Sequence, residues 1–441
     1  MSVAQLRVVK SHDRLGTRCE KLDPASFPDK PHGNGSGPPG TVENVRYLMA
    51  ANGISARYNL VRKRTEITIP WISATVENAD AVAMTHVLST AARCGMPTGL
   101  VPASVEALGD ENAYSPAADW ILSRQWDGKD RLDALCQTLT PRDDYPTVLR
   151  DVLVKKWLLS AAAAAVKPIG FKCRGVLTLQ GAQGIGKTSW GLSLIDDATL
   201  RPQLVKVDHH LEPGNKDSQI GAIEHWLVEI GELDSSFKRD VARLKGFLTT
   251  GTDKLRRPYA QVTSEYQRRT VFYATVNEET FLVDSTGNTR FWTIPYEHIN
   301  HQHGIDMQQL FAQCAKLLEG GAEWWLTDAE QTLLEKHNEA HRSFSLVRDR
   351  LESAIELERV DTSGCEALTA SEVLERAGFP HPTNSQAKEC ASILRQLFGS
   401  SKRYGGINKW RVPLRAEYAS EEGMAAVRPD QRPNAKRSKF D

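Results

Sequence analysis

The sequence has few cysteines and none of them form a closely spaced pair. Seven occur in 441 residues, and no two stand in a C-x-x-C pattern. Zinc ribbons and disulfide frameworks both depend on such spacing, so we predict neither. Scattered cysteines are typical of a reducing compartment, and we therefore expect a cytoplasmic protein.

Long hydrophobic runs and an excess of one charge are also missing. The longest apolar stretch, residues 158–166, is too short to span a bilayer, and the N-terminal residues lack the apolar core of a signal peptide. We expect no membrane partner. Lys plus Arg and Asp plus Glu both number 55. Any nucleic-acid binding must therefore come from local basic patches.

Composition and periodicity divide the chain into segments. Residues 27–41 are rich in Pro and Gly and the last residues are polar, which is typical of disordered tails. Between the tails, helical and alternating patterns follow one another. The predicted segments are a disordered tail (1–41), a small α+β module (42–104), a helical extension (105–170), a P-loop ATPase core (171–300), a helical segment (301–360), a winged-helix-like domain (361–416) and a disordered tail (417–441).

The stretch LTLQGAQGIGKTSWGLSLI contains the pattern G-x-x-x-x-G-K-[ST] between a strand-like run and a helix-like pattern. Backbone N–H groups of such a loop point at phosphate oxygens. Lys187 would reach the β- and γ-phosphates, and the Thr188 hydroxyl would bind Mg²⁺. We predict that ATP and Mg²⁺ are the cofactors. The residues predicted to contact the nucleotide are Gly181, Gln183, Gly184, Ile185, Gly186, Lys187 and Thr188.

Two carboxylates follow in HWLVEIGELD, which predicts a short buried strand from Trp226 to Ile230. A carboxylate at the end of a strand beside the loop can hold the water shell of Mg²⁺ or orient the attacking water. Glu229 and Glu232 point to opposite faces of a straight strand, so only one should face the metal. Glu232 is preferred because it lies at the strand end. Glu229 is the alternative, and it would need a partner if buried.

Two further candidates lie downstream. A third apolar strand, Val271 to Val276, ends in Asn277, whose amide can either position the attacking water or cap a turn. Arg290 follows a Gly-Asn turn. It suits an arginine finger that reaches the phosphates of a neighbouring subunit, although stacking on Trp292 would also explain it.

Two basic clusters are candidates for DNA contact. Residues 240–269 predict a helix followed by a basic hairpin with interleaved tyrosines, which suits single-stranded DNA but is also typical of solvated surface. Residues 366–415 predict two helices and a wing hairpin around Gly405-Gly406, whose cations would meet phosphates. The basic residues of the two clusters are Lys254, Arg256, Arg257, Arg268, Arg269, Lys402, Arg403, Lys409 and Arg411.

In this order the motifs resemble the virulence-associated E (VirE/VapE) family, P-loop proteins of prophages and mobile elements related to superfamily 3 helicases and primase-helicases. The resemblance covers about residues 105–345. It implies an α/β AAA+-like core in which Glu232 matches the Walker B carboxylate, Asn277 the sensor and Arg290 the finger. The residues that match the DNA-facing hairpin are Lys245, Asp253, Arg256 and Arg257. The chain departs from the pattern in lacking paired Walker B acids and a recognisable primase module before residue 105.

The leading hypothesis is an ATP-dependent DNA translocase or helicase that works as a homo-oligomeric, hexameric ring. It would act on single-stranded or forked DNA in replication of a prophage or mobile element, with a separate primase or replication protein as a possible partner. The alternative is a DNA-binding regulatory ATPase that uses the winged helix. A small-molecule kinase would need an acceptor-binding lid, and the sequence shows none.

Overall fold

The structure is a computed structural model that describes residues 21–31, 37–72, 78–212, 214–231, 233, 241–255, 264–277, 288–338, 346–356 and 364–419. Its helices are α1 (Val42–Ala51), α2 (Ala79–Arg93), α3 (Val101–Glu111), α4 (Pro116–Leu122), α5 (Leu132–Gln137), α6 (Thr147–Val166), α7 (Lys187–Ser193), α8 (Arg201–Leu204), α9 (Lys216–Ile223), α10 (Val241–Thr249), α11 (Met307–Glu319), α12 (Asp328–Asn338), α13 (Leu346–Ala354), α14 (Ala370–Arg376), α15 (Asn384–Phe398) and α16 (Ala416–Ala419). Its strands are β1 (Ser55–Asn59), β2 (Arg64–Thr68), β3 (Leu139–Pro141), β4 (Val176–Gln180), β5 (Val205–His209), β6 (Leu227–Ile230), β7 (Thr252–Leu255), β8 (Ser264–Gln267), β9 (Val271–Val276), β10 (Phe291–Ile299), β11 (Ala367–Leu368), β12 (Lys402–Tyr404) and β13 (Ile407–Arg411).

The N-terminal module packs three helices, α1 to α3, against the β1–β2 hairpin. The predicted helices and hairpin are present, and α1 is followed by Gly53 with a positive φ of 61°. The predicted boundary at residue 104 is wrong, because α3 crosses it and Val105 and Leu108 lie in the hydrophobic core of the module. The module therefore extends to the end of α3.

The prediction of a disordered tail over residues 1–41 is wrong for the part of that segment that the structure describes. Phe27 is fully buried in the core of the module and its ring meets Tyr47 at 5.3 Å between centroids. The buried side chain of Asn44 donates to the carbonyl oxygens of Asp29 and Pro39 at 3.0 and 2.9 Å. An aromatic anchor and a buried amide help to hold this segment, and its Pro- and Gly-rich composition does not indicate either contact.

The centre of the molecule is a mixed α/β unit built on a six-stranded sheet in the order β3-β10-β4-β9-β6-β5. Strand β3 runs antiparallel to β10, and the other five strands are parallel. Every residue of β4 and β6 is buried, as continuous apolar runs in a covered parallel sheet should be. Helix α6 lies on the sheet, where the indole N–H of Trp157 donates to the carbonyl oxygen of Phe272 at 2.8 Å.

The helical extension and the later helical segment pack on the same unit. The glutamines of α11 bind the segment between α4 and α5. Gln308 donates to the carbonyl oxygen of Ile121 at 2.8 Å, and Gln313 accepts from the backbone N–H of Arg131 at 2.9 Å. Residues predicted to form separate segments therefore share one hydrophobic core with the sheet.

The C-terminal unit has a hydrophobic core of its own, built from α13, α14, α15 and the three-stranded sheet β11-β13-β12. The two predicted helices and the predicted hairpin are present. Gly405 and Gly406 form the turn between β12 and β13 with φ of 57° and 85°, a pair of left-handed positions that glycine adopts at little cost. Within the described ranges, no helix has both the length and the apolar composition needed to cross a bilayer.

Candidate nucleotide site

The loop predicted to bind phosphate connects β4 to α7. Because β4, β9, β6 and β5 are parallel, their carboxyl ends meet at one edge of the sheet, where ligands of open α/β sheets bind. Gly184 and Gly186 have φ of 86° and 97°, a region that other residues rarely adopt. The backbone path of the loop therefore depends on these two glycines.

Lys187 begins α7 and is buried, with 8% of its surface exposed. Its ammonium donates to the carbonyl oxygens of Gly181 and Ala182 at 2.6 and 2.8 Å and to Oδ1 of Asn277 at 2.8 Å. Burial lowers the pKa of Lys187, and the negative charge of Glu229 opposes that shift. The structure thus brings together Lys187 and Asn277, two residues that the sequence places 90 positions apart.

Thr188 contacts the buried carboxylate of the site. Its hydroxyl donates to Oε1 of Glu229 at 2.6 Å, and the backbone N–H of Asp208 donates to Oε2 of Glu229 at 3.2 Å. Glu229 is 1% exposed. The partner that a buried Glu229 requires is therefore present, whereas the preferred candidate Glu232 lies outside the described residues. Glu229 is therefore placed to act beside the predicted metal, and the preference for Glu232 stays a prediction.

The donor set fits Mg²⁺ if part of the coordination comes from elsewhere. Hydroxyl and carboxylate oxygens are the ligands that Mg²⁺ takes, and Thr188 and Glu229 supply one of each. Among the residues that the structure describes, no three His, Cys, Asp or Glu side chains are grouped closely enough to hold a metal by themselves. Phosphate oxygens and water would have to complete the shell, which is the usual arrangement for Mg²⁺ at nucleotide sites.

These residues share a cavity of 450 Å³. Gly181 and Ile185 do not line it: a Cβ on Gly181 would come within 2.6 Å of Cδ1 of Ile185, so the two face each other. The predicted residues that line the cavity are Gln183, Gly184, Gly186, Lys187, Thr188, Glu229 and Asn277.

Sequence reasoning missed Asp208, which lines the same cavity. Asp208 has a φ of 51°, uncommon for a residue other than glycine, and lies where the pairing of β5 with β6 is irregular. A Cβ on Gly231 would come within 2.2 Å of its carboxylate, so the glycine leaves room for it. In the sequence, Asp208 could have been found only as an acidic residue near the end of VKVDH, which forms the strand next to the one that carries Glu229.

Arg290 lies at the opposite edge of the sheet. Phe291, the next residue, pairs with Val176 at the amino end of β4, about five residues from the loop. Arg290 lines a separate cavity of 730 Å³ together with Lys172 and Arg174, and its Nε has no hydrogen-bond partner among the described residues. The structure therefore does not bring Arg290 to the nucleotide site of its own subunit.

Several basic residues of the predicted hairpin are buried, which corrects their interpretation. Arg268 donates from Nε to Asp253 at 2.6 Å with none of its side chain exposed, and Arg269 donates to the carbonyl oxygen of Lys167 at 3.2 Å. Lys245 is buried, with 6% of its surface exposed. Arg268 is held by the Asp253 carboxylate and Arg269 by backbone carbonyl oxygens at the end of α6, and a local charge pattern does not show these partners.

Other predicted DNA contacts remain compatible with the structure. Lys254 is exposed on β7 and pairs with Glu265 across the hairpin at 2.6 Å. Lys402 and Arg403 are exposed on β12. Lys409 lies 3.2 Å from Glu372. Arg256 and Arg257 lie outside the described part of the chain.

Comparisons with known proteins identify a family for this chain and similar solved structures. None of the curated proteins matches the chain. Two apo structures of the C-terminal region of NrS-1 are similar at 12% identity, with TM-scores of 0.39 and 0.37; they cover 83% and 84% of this chain and 97% and 98% of their own. The pattern of the virulence-associated protein E-like domain matches residues 121–343, which include the sheet and the whole nucleotide site. The chain belongs to the virulence-associated protein E-like family.

Proposed function

We propose that the protein is an ATP-dependent DNA translocase or helicase that works as an oligomeric ring in replication of a prophage or mobile genetic element. One observation carries the proposal. Two pairs, Lys187 with Asn277 and Thr188 with Glu229, meet in one cavity behind a glycine loop that can bind phosphate. This set combines a phosphate-binding cation, a polar group for the attacking water and oxygen ligands for Mg²⁺.

The roles follow from the positions. Lys187 would exchange its loop carbonyl partners for the β- and γ-phosphates, while Thr188 and Glu229 would hold Mg²⁺, directly or through water. Asn277 would orient the water that attacks the γ-phosphate, because its amide lies next to the lysine that marks that phosphate. Glu232 remains a candidate for activating that water, and Arg290 for acting on the phosphates of a neighbouring copy.

DNA contact is assigned to the exposed cations outside the site. Lys254 lies on the β7–β8 hairpin, and Lys402 and Arg403 lie on β12. Exposed cations neutralise phosphates without reading sequence, so binding should weaken steeply with salt. Arg256 and Arg257 extend the basic sequence of the hairpin and belong to the same hypothesis.

The test is hydrolysis of ATP by the full chain with and without single-stranded DNA. Lys187→Ala should abolish hydrolysis in both conditions, because the cation on the transferred phosphate is lost. Lys216→Ala, which removes an exposed lysine at the start of α9, is the matched control and should hydrolyse ATP normally. Thermal unfolding of both variants checks the fold. Normal hydrolysis by a folded Lys187→Ala variant would exclude this site.

A DNA-binding regulator is the second candidate. It is favoured by the C-terminal unit, which has its own hydrophobic core and exposes Lys402 and Arg403 together. The two functions differ in whether DNA binding is coupled to ATP hydrolysis. A translocase hydrolyses ATP faster on DNA, whereas a regulator binds DNA without that increase. Lys402→Ala/Arg403→Ala should then remove DNA binding and leave the basal hydrolysis rate unchanged.

A further inference from the structure

The positions of the site residues indicate on which side of β4 the γ-phosphate and the base of a bound nucleotide would lie. Lys187 reaches Asn277 at the end of β9, and Thr188 reaches Glu229 on β6. In the sheet, β9 and β6 lie on one side of β4, and β10 lies on the other. The groups that would meet the γ-phosphate and the metal are therefore all on the β9 side of the loop. A triphosphate bound along the loop must then direct its ribose and base toward the β10 side.

On the β10 side, the chain that follows the strand packs directly on the loop. A Cβ on Gly181 would lie 2.8 Å from the carbonyl oxygen of Tyr296. A Cβ on Gly186 would lie 2.9 Å from Nδ1 of His301 and 3.6 Å from the carbonyl oxygen of Ile299. Residues 296–301 thus form a wall beside both ends of the loop, and His301 is the residue of that wall with a planar, polar side chain next to Gly186.

His301 and His303 differ in what they contact. Nδ1 of His303 accepts from the backbone N–H of Ile305 at 3.1 Å, so its Nε2 donates to the hydroxyl of Ser193 at 3.0 Å. His303 is therefore occupied in fixing the segment against α7. His301 is half-buried, and its ring makes no hydrogen bond to any residue that the structure describes. The edge of its ring that carries Nδ1 faces Gly186, and the half-buried ring has surface left for contact with a ligand.

We propose that His301 contacts the base of the bound nucleotide and gives the site a preference for purine nucleoside triphosphates. The inference rests on the proposed nucleotide site. It concerns recognition of the base, which the phosphate-binding loop does not contact. A planar ring beside a base is stabilised by stacking, and a purine offers the larger face. The loop binds phosphates of any nucleotide, so discrimination between bases must come from a group on this side.

The experiment measures dissociation constants of the full chain with Mg²⁺ for ATP, CTP and inorganic tripolyphosphate. His301→Ala should weaken ATP binding about tenfold, as expected for losing one ring-on-base contact, and should leave tripolyphosphate unchanged. It should also reduce the ratio of ATP to CTP affinity toward one. His301→Phe keeps a planar ring and should retain most of the ATP affinity. His298→Ala removes an exposed histidine of β10 and is the matched control.

The outcomes separate the inference from the function on which it rests. Unchanged ATP binding by His301→Ala overturns the inference and leaves the nucleotide site standing. An equal loss for ATP and tripolyphosphate also overturns it, because the variant would then act through the shape of the loop. If the wild-type chain binds neither ligand, the proposed function fails and the inference falls with it.

Discussion

At the scale of single residues, Glu229 is the buried carboxylate that contacts the threonine of the glycine loop. Its two oxygens bind the Thr188 hydroxyl and the backbone N–H of Asp208, whereas the Asp208 side chain lies against Gly231 at the lining of the cavity. Glu229→Gln keeps the shape and removes the charge. We expect it to lower the affinity for Mg²⁺ at least tenfold, and Asp208→Asn to have a smaller effect. The measurement is a Mg²⁺ titration of nucleotide binding, followed by hydrolysis at saturating Mg²⁺.

Glu232→Gln belongs in the same series, because the sequence analysis predicts Glu232 as the carboxylate that faces the metal. A variant that binds ATP and Mg²⁺ normally but does not hydrolyse would assign Glu232 to the attacking water, with Glu229 at the metal. If Glu232→Gln weakens Mg²⁺ binding more than Glu229→Gln does, the assignment made from the geometry is wrong and the preference from the sequence is right.

The glycine-loop motif sufficed to predict Lys187 and Thr188, because their spacing is fixed within one loop. It could not rank Glu229 against Glu232. The partner that makes a buried Glu229 acceptable is Thr188, 41 residues earlier in the chain. Asp208 was missed for a similar reason, since only the order of the strands places it next to Glu229. Contacts between strand ends depend on sheet order, which local spacing does not encode.

At the scale of elements, the β7–β8 hairpin rests on a buried ion pair. Arg268 lies 4.5 Å from the ring centroid of Phe247 and donates to Asp253. Asp253→Ala leaves this guanidinium buried without its counter-charge and should cost about 3–5 kcal/mol of unfolding free energy. Lys254→Ala breaks only an exposed pair with Glu265 and should cost under about 1 kcal/mol. Urea unfolding of the two adjacent variants makes the comparison. Equal effects would show that the ion pair does not support the hairpin.

The turn between β1 and β2 contains a buried amine. Nζ of Lys63 has no hydrogen-bond partner among the described residues, and burial lowers the pKa of Lys63 to about 7. Asp253 and Glu224 raise the pKa of Lys63, and Arg268 and Arg269 lower it. Between pH 7 and the ordinary lysine pKa, the unfolded chain binds more protons at this position. The contribution of Lys63 to stability therefore rises with pH in that window.

Lys63→Met removes the unpaired amine and keeps a long side chain at the same positive φ of 54°. It should raise the unfolding free energy by about 1–3 kcal/mol at pH 7. The gain should shrink as the pH rises toward 10, because keeping the wild-type amine neutral in the folded state costs less as the pH approaches the ordinary lysine pKa of the unfolded chain. Urea unfolding at pH 7 and pH 9 measures the difference. A gain that does not change with pH, or a loss, would contradict the buried-amine account.

Local patterns predicted the elements better than they predicted how the elements join. Strand β9 and the wing hairpin lie where the apolar runs and paired glycines indicate. Phe27 and α3 were assigned to the wrong segments because their packing partners are distant in the chain. The spacing of hydrophobic residues indicates which face of a helix or strand is buried. It does not indicate which other element of the chain packs against that face.

At the scale of the whole molecule, the distribution of charged groups over the two edges of the sheet bears on assembly. One edge holds the complete loop with Lys187, and the other holds Arg290 beside Lys172 and Arg174. A cationic edge opposite a phosphate-binding edge is compatible with the proposed head-to-tail ring, in which each interface would join one edge of each kind. In this arrangement Arg290 would stabilise the charge that develops on the γ-phosphate bound by the neighbour.

The proposed ring predicts complementation between two inactive variants. Lys187→Ala lacks the phosphate-binding cation, and Arg290→Ala lacks the finger, so each should be inert alone. When they are mixed, some interfaces pair an intact Lys187 with an intact Arg290 of the adjacent copy, and these should regain part of the ATP hydrolysis. Mass measurement with ATP and DNA on the same samples reports the assembly. Full hydrolysis by wild-type chain at concentrations where only monomer exists would show that Arg290 does not act between copies. The ring would then lose its main support, and the DNA-binding regulator would become the better account of the molecule.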